Sequence, residues 1–179
     1  ITTRYDTIDP LHKFSKVFEV NSILDRSNIG EHAGFVFFYM MRKLYRAVEH
    51  ELEYIDSELK DIEHEIFRGK EREMVRELSR VGKELLNFKR TLQTHKDVLI
   101  SFENAGVRFF GEEFGYHLKA IHGEYYRVYN GIESLLDTLL ELRETNNSLL
   151  STKQNEIMKT LTIMAFVTLP LSLFASVFS

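Results

Sequence analysis

The chain has 179 residues, a formal net charge of -4 and no cysteine. The lack of cysteine excludes disulfide scaffolds, thiolate zinc sites and thiol catalysis. The mildly acidic balance gives no ground for nucleic acid as a partner.

Proline stands only at Pro10 and Pro170. Charged residues alternate with Leu, Ile and Val at helical spacing, so the fold class is all-α. Ile1-Thr2-Thr3-Arg4 carries no initiator Met and no signal-peptide core, so the chain is expected to begin inside a larger protein. Residues 1–33 are mixed, with Leu11, Phe14, Val17, Phe18 and Val20 apolar. Pro10 is placed to open a short helix, and Asn28-Ile29-Gly30 reads as a turn. This stretch is too short to fold alone and is expected to end a preceding domain.

Residues 34–112 read as a long antiparallel helical hairpin. The first helix, 34–67, sets Met41, Leu44, Val48, Leu52, Ile55, Leu59, Ile62 and Ile66 at alternating spacings of three and four. That is a seam suited to another helix. From Glu49 to Glu65 it is strongly acidic. Gly69 breaks the pattern. The second helix, 71–103, repeats the seam through Met74, Leu78, Val81, Leu85, Phe88, Leu92, Leu99 and Phe102, with His95 at one seam position. It is basic at Arg72, Arg76, Arg80, Lys83, Lys89 and Arg90, so the two faces are expected to complement each other. Residues 104–115, with three glycines, read as a turn packed down by Phe109, Phe110 and Phe114.

The stalk helix, 113–159, carries its seam on Leu118, Ile121, Tyr125, Val128, Ile132, Leu135, Leu139, Leu142 and Leu149. No breaker appears before Pro170, and a helix from Tyr116 to Ser179 is roughly 95 Å long. Such a rod needs neighbours, and several copies of the chain are expected to supply them. From Thr160 to Ser179 no residue is charged. That is about the length that crosses a bilayer, and Lys159 marks the membrane edge, where its ammonium reaches the interface.

There is no Gly-x-Ser-x-Gly, phosphate loop or dinucleotide fingerprint, so the chain is read as not an enzyme and as without a cofactor. Glu63-His64-Glu65, the pair Glu113 and His117, and His122 lack a third convergent ligand. They read as polar helix surface, and no metal site is assigned. The informative pattern lies at the membrane. Continuing the alternating spacing places Asn155, Met158, Thr162 (or Leu161), Ala165, Leu169, Ser172 and Ser176 on one face, as an extension of the stalk seam. Ile157, Ile163, Phe166, Leu173 and Phe174 point elsewhere. A small, polar face of this kind suits the wall of a narrow water-filled pore. It equally suits close packing in a bundle, with Asn155 setting register. Pro170 frees a carbonyl near Phe166 and permits a kink.

Thr152-Lys153-Gln154-Asn155-Glu156-Ile157-Met158-Lys159-Thr160-Leu161-Thr162-Ile163, followed by Leu169-Pro170-Leu171, closely resembles the stalk-to-pore junction of CorA-type magnesium transporters. Ile62-Glu63, Ile66-Phe67 and Phe88-Lys89-Arg90 are similar to that family too. The resemblance covers about residues 30–179 and is specific at the junction. It implies a homopentamer with a cytoplasmic funnel. Residues 1–159 would then be cytoplasmic and 160–179 would form the first span in the inner membrane. It also implies a pore lined by Asn155, Met158, Leu161, Ala165, Leu169 and Ser172. Asn155 corresponds to an asparagine ring at the cytoplasmic part of the pore, and Met158, Leu161 and Leu169 to a hydrophobic constriction.

The implied cargo is a divalent cation, Mg²⁺, with Zn²⁺, Co²⁺ or Ni²⁺ as alternatives. Ser179 falls where the family's Gly-Met-Asn filter begins, so filter and second span are expected beyond it, and an α/β domain before residue 1. The family's acidic regulatory position corresponds to Ala120, with Glu124 one turn later, so that site is not carried over. From another class, a membrane-anchored coiled-coil tether without an ion path stays open.

Overall fold

The computed structural model describes residues 33–177. The expectations for residues 1–32 and for Ser179 lie outside the described residues. Within them the chain forms three α-helices: α1 Ala33–Phe67, α2 Glu71–Phe110 and α3 Glu112–Val177. No strand occurs among the described residues.

Strict seven-residue repeats hold the helices together. On α1 the buried positions include Phe38, Tyr45, Leu52, Leu59 and Ile66, with Ile55 and Ile62 beside them. On α2 Glu71, Leu78, Leu85, Leu92, Leu99 and Gly106 are buried. On α3 the buried line runs from Phe114 through Leu118, Ile121, Tyr125, Val128, Ile132, Leu135, Leu139 and Leu142 to Asn146. A 3.5-residue period keeps one stripe facing its neighbours over the whole length of a helix. The apolar stripes of α1 and α2 both close on α3, in one continuous core.

The α1–α2 connection is a helix C-cap followed at once by a new helix. Gly69 has φ +93°, a conformation that costs glycine little. Lys70 N–H donates to Glu65 O at 3.1 Å and Gly69 N–H to Ile66 O at 3.0 Å, the paired bonds of a Schellman motif.

The turn expected over 104–115 is not there. Helix α2 continues to Phe110, the only interruption is Gly111 with φ +92°, and α3 starts at Glu112. The other two glycines of that stretch permit close helix contact instead. A Cβ on Gly106 would sit 2.8 Å from Leu118 Cδ1, and one on Gly115 3.3 Å from Val107 Cγ2. Phe114 is buried as expected, but Phe109 is 87% exposed.

Charge complementarity between α1 and α2 is thinner than expected. Arg80 joins them by pairing with Glu58. Other cross-helix pairs run to α3: Lys89 to Glu133 at 2.7 Å, Arg42 to Glu124 at 3.7 Å and Arg127 to Glu49 at 3.9 Å. Exposed pairs of this kind contribute ~0–1 kcal/mol each, so the apolar repeats carry the bundle.

Candidate functional site

Helix α3 has 66 residues and is therefore about 99 Å long. Its first half is the third wall of the bundle. From Ser151 to Val177 every residue is exposed. This part contains a window long and apolar enough to cross a membrane, none of it buried. Lys159 is the last charged residue before this apolar stretch, next to Thr160.

Asn155, Met158, Leu161, Ala165, Leu169 and Ser172 all lie on the exposed part of α3. At about 100° per residue they share one broad face. That face is not the extension of the stalk seam. The buried line through Leu142 and Asn146 reaches the hairpin again at Lys153, and the candidate face lies roughly 130° around the helix from it. The reason is one step: from Leu149 to Asn155 is six residues, which breaks the alternation of three and four. The unbroken seam passes through Lys153 instead.

Hydroxyl groups along this segment bond back to their own helix. Thr162 Oγ1 donates to Met158 O at 2.8 Å, Thr168 Oγ1 to Met164 O at 2.7 Å and Ser172 Oγ to Thr168 O at 2.9 Å. Their donors are thus satisfied without water, while each oxygen keeps acceptor capacity for a passing hydrated ion or a neighbouring helix. The helix continues through Pro170 to Val177.

On the N-terminal side of Lys159 lies a junction that the sequence reading did not single out. Lys153 Nζ donates to Glu71 Oε2 at 2.6 Å and reaches Gly69 O at 3.4 Å. Glu71 exposes only 5% of its side chain. The Lys153 ammonium, followed by its own backbone N–H, holds its carboxyl below the usual range. Both residues occupy core positions of the seven-residue repeats, and that register was the available signal.

The polar groups considered as metal ligands are engaged elsewhere or apart. Glu65 pairs with Arg68 at 3.1 Å and with Lys70, whose hydrogen bond lowers its proton affinity. His117 packs among Phe35, Phe38 and Phe114, with ring centroids 4.9, 4.9 and 5.8 Å away. His122 meets Glu103 at 3.1 Å. Among the described residues no group of three or more acidic or histidine side chains converges. Ala120 is exposed, and Glu124 contacts Arg42 at 3.7 Å and Arg127 at 3.2 Å.

Against known proteins, the chain is 26% identical over 127 residues to the cobalt/magnesium transport protein CorA of Thermotoga maritima, covering 71% of this chain and 36% of that protein. It is 21% identical over 160 residues to the protein of the same description from Methanocaldococcus jannaschii, covering 89% and 49%. The chain thus spans less than half the length of these relatives. A solved structure of the CorA magnesium transporter from Methanocaldococcus jannaschii superposes with a TM-score of 0.78 at 20% identity, over 89% of this chain and 50% of that one, a likeness of fold. The model of the CorA-like Mg²⁺ transporter protein family matches residues 1–179, and the chain belongs to that family.

Proposed function

We propose that this chain supplies the hairpin, stalk and first pore-lining helix of a divalent cation channel whose cargo is Mg²⁺. The observation that carries the reading is the continuity of α3. One helix runs from a packed bundle into an uncovered apolar segment, with Asn155, Met158, Leu161, Ala165, Leu169 and Ser172 within one face. In this reading copies of the chain, five in a homopentamer, bring those faces together around an axis. The segment crosses the inner membrane, with residues 1–159 on the cytoplasmic side.

The chemistry follows from the residue types. Mg²⁺ dehydrates reluctantly, so the Asn155 amide oxygens would meet a hydrated ion through its waters. Rings of Met158, Leu161 and Leu169 narrow the path and exclude water when close, which gates by dewetting. Transport is passive. Cobalt, which the relatives' descriptions name beside magnesium, is a second candidate cargo.

The test is Mg²⁺ uptake by liposomes holding the full-length protein. Uptake that Asn155→Ala changes while assembly stays normal supports the reading. Normal assembly with no divalent flux overturns it in favour of a membrane tether.

A further inference from the structure

The Glu71–Lys153 contact sits where three helix ends and segments meet. Lys153 brings a cation to the C-terminal carbonyl end of α1, at Gly69 O, where the helix dipole is negative. Glu71 brings an anion to the first turn of α2, where the dipole is positive. Both charges are thus favoured in place before they meet each other at 2.6 Å. Glu71 is almost fully covered, and a covered carboxylate that loses its cation is costly to keep.

A second cation reaches across lower down. Arg143 Nη2 donates to Leu78 O at 3.1 Å. The two contacts lie ten residues apart on α3, about 15 Å along its axis. Two fixed points along a rod set its rotation about its own axis as well as its position. The buried seam ends at Asn146, and above Lys153 no described residue of α3 is buried, so among the described residues the Glu71–Lys153 pair is the last contact that fixes α3 before the segment beginning at Asn155. Asn155 is two residues past the contact and Met158 five.

We infer that Glu71 and Lys153 form a latch that docks the hairpin tip on α3 and thereby sets the rotation of the Asn155–Ser172 face. They are positioning residues. The inference rests on the pore reading for its consequence, but the latch itself is measurable without transport. Motion of the hairpin tip would reach the face through this contact, turning or tilting α3 as the pair opens.

The chain has no cysteine, so Met158→Cys introduces a single thiol within it; any cysteine elsewhere in the full-length protein is replaced by serine. The rate at which a water-soluble maleimide labels that thiol in proteoliposomes reports the orientation of the face. It is compared in Glu71→Gln, Lys153→Met and the double variant, with Glu73→Gln as a control at the same tip. Each single variant is expected to change the rate by about twofold or more, and the double by no more than the larger single effect, as for two residues acting through one contact. Glu73→Gln is expected to leave it unchanged. Single variants with a smaller effect, or effects that multiply in the double, overturn the latch. Lys153 is 48% exposed, so Lys153→Met keeps the test valid if Glu71→Gln disturbs folding. Mg²⁺ flux is read on the same vesicles: its absence in the parent protein removes the pore reading, while the labelling rates still decide the latch.

Discussion

Lys153 and Asn155 stand two residues apart on α3 and about 160° apart around it. The first reaches Glu71 Oε2 at 2.6 Å, and the second faces away from the hairpin on a fully exposed stretch. One helix thus separates a structural face from a candidate pore face within a single turn.

The separation predicts separate phenotypes. Asn155 is exposed among the described residues, so Asn155→Ala is expected to change unfolding stability by less than ~0.5 kcal/mol. In the full-length protein it is expected to alter Mg²⁺ uptake several-fold. Detergent-solubilised melting and vesicle flux, measured on one preparation, check both halves. Unchanged uptake with normal assembly counts against a pore role for Asn155.

Glycines on the bundle make a second contrast. A Cβ on Gly82 would fall 2.9 Å from Leu139 Cδ2 and 2.5 Å from Arg143 Nη2, whereas one on Gly123 meets nothing within 4 Å. Gly123→Ala is therefore expected to stabilise by up to ~1 kcal/mol through helix propensity. Gly82→Val is expected to destabilise by ~1–3 kcal/mol through overpacking and loss of the Arg143–Leu78 bond. Denaturant titrations of the two variants should move in opposite directions. A stabilised Gly82→Val would mean that α2 and α3 can separate there at no cost.

Most of the bundle was legible because its stripes repeat. Leu52 to Ile66, then Leu78, Val81, Leu85, Leu92 and Leu99, and Leu118 to Leu142 are seam positions by spacing and buried positions in the structure. What failed has local causes. Tyr45 lies one position off the spacing of Met41, Leu44 and Val48, yet it is 2% exposed and Leu44 only half-buried. Gly106 and Gly115 were read as turn residues because a glycine that opens space between helices and one that bends the chain look alike in sequence. Glu71 and Lys153 are charges at seam positions, which read as surface until the partner is known. The step from Leu149 to Asn155 was bridged as though the seam were unbroken, which merged two faces into one.

Tyr45 carries a pH dependence. Its hydroxyl lies 3.3 Å from His95 Nδ1 across the α1–α2 interface, and its ring stands edge-on to Tyr125 of α3 at 6.3 Å. Burial pushes the Tyr45 phenol above its ordinary range, with Tyr125 adding to the shift, and burial pushes the His95 imidazole down. A depressed histidine contributes stability that is full above its unfolded value, about 6.5, and lost as pH falls through the lower folded value. The melting temperature is expected to drop as pH is lowered from 7 toward 5, and His95→Gln is expected to flatten part of that slope. Identical slopes in the two proteins would show that His95 is not the group responsible.

Asn146 is the polar member of an otherwise apolar line on α3. It is 1% exposed, it follows Leu139 at the seven-residue spacing, and its Oδ1 has no hydrogen-bond partner among the described residues. An unpaired buried carbonyl oxygen costs ~1–3 kcal/mol, so Asn146→Leu is expected to stabilise the bundle by that order. Asn146→Asp, which places a charge there, is expected to destabilise it. A buried asparagine at a seam position commonly trades stability for register. The leucine variant should therefore also loosen the pairing of α3 with the hairpin, readable as a broader distance distribution between spin labels at Glu73 and Gln154. If Asn146→Leu instead lowers stability, its amide makes a contact worth more than the apolar packing gained. Asn146 would then be a structural hydrogen-bonding group rather than a register mark. Stabilisation without broadening would leave register to the two cationic contacts of Arg143 and Lys153, which flank Asn146 on the same helix.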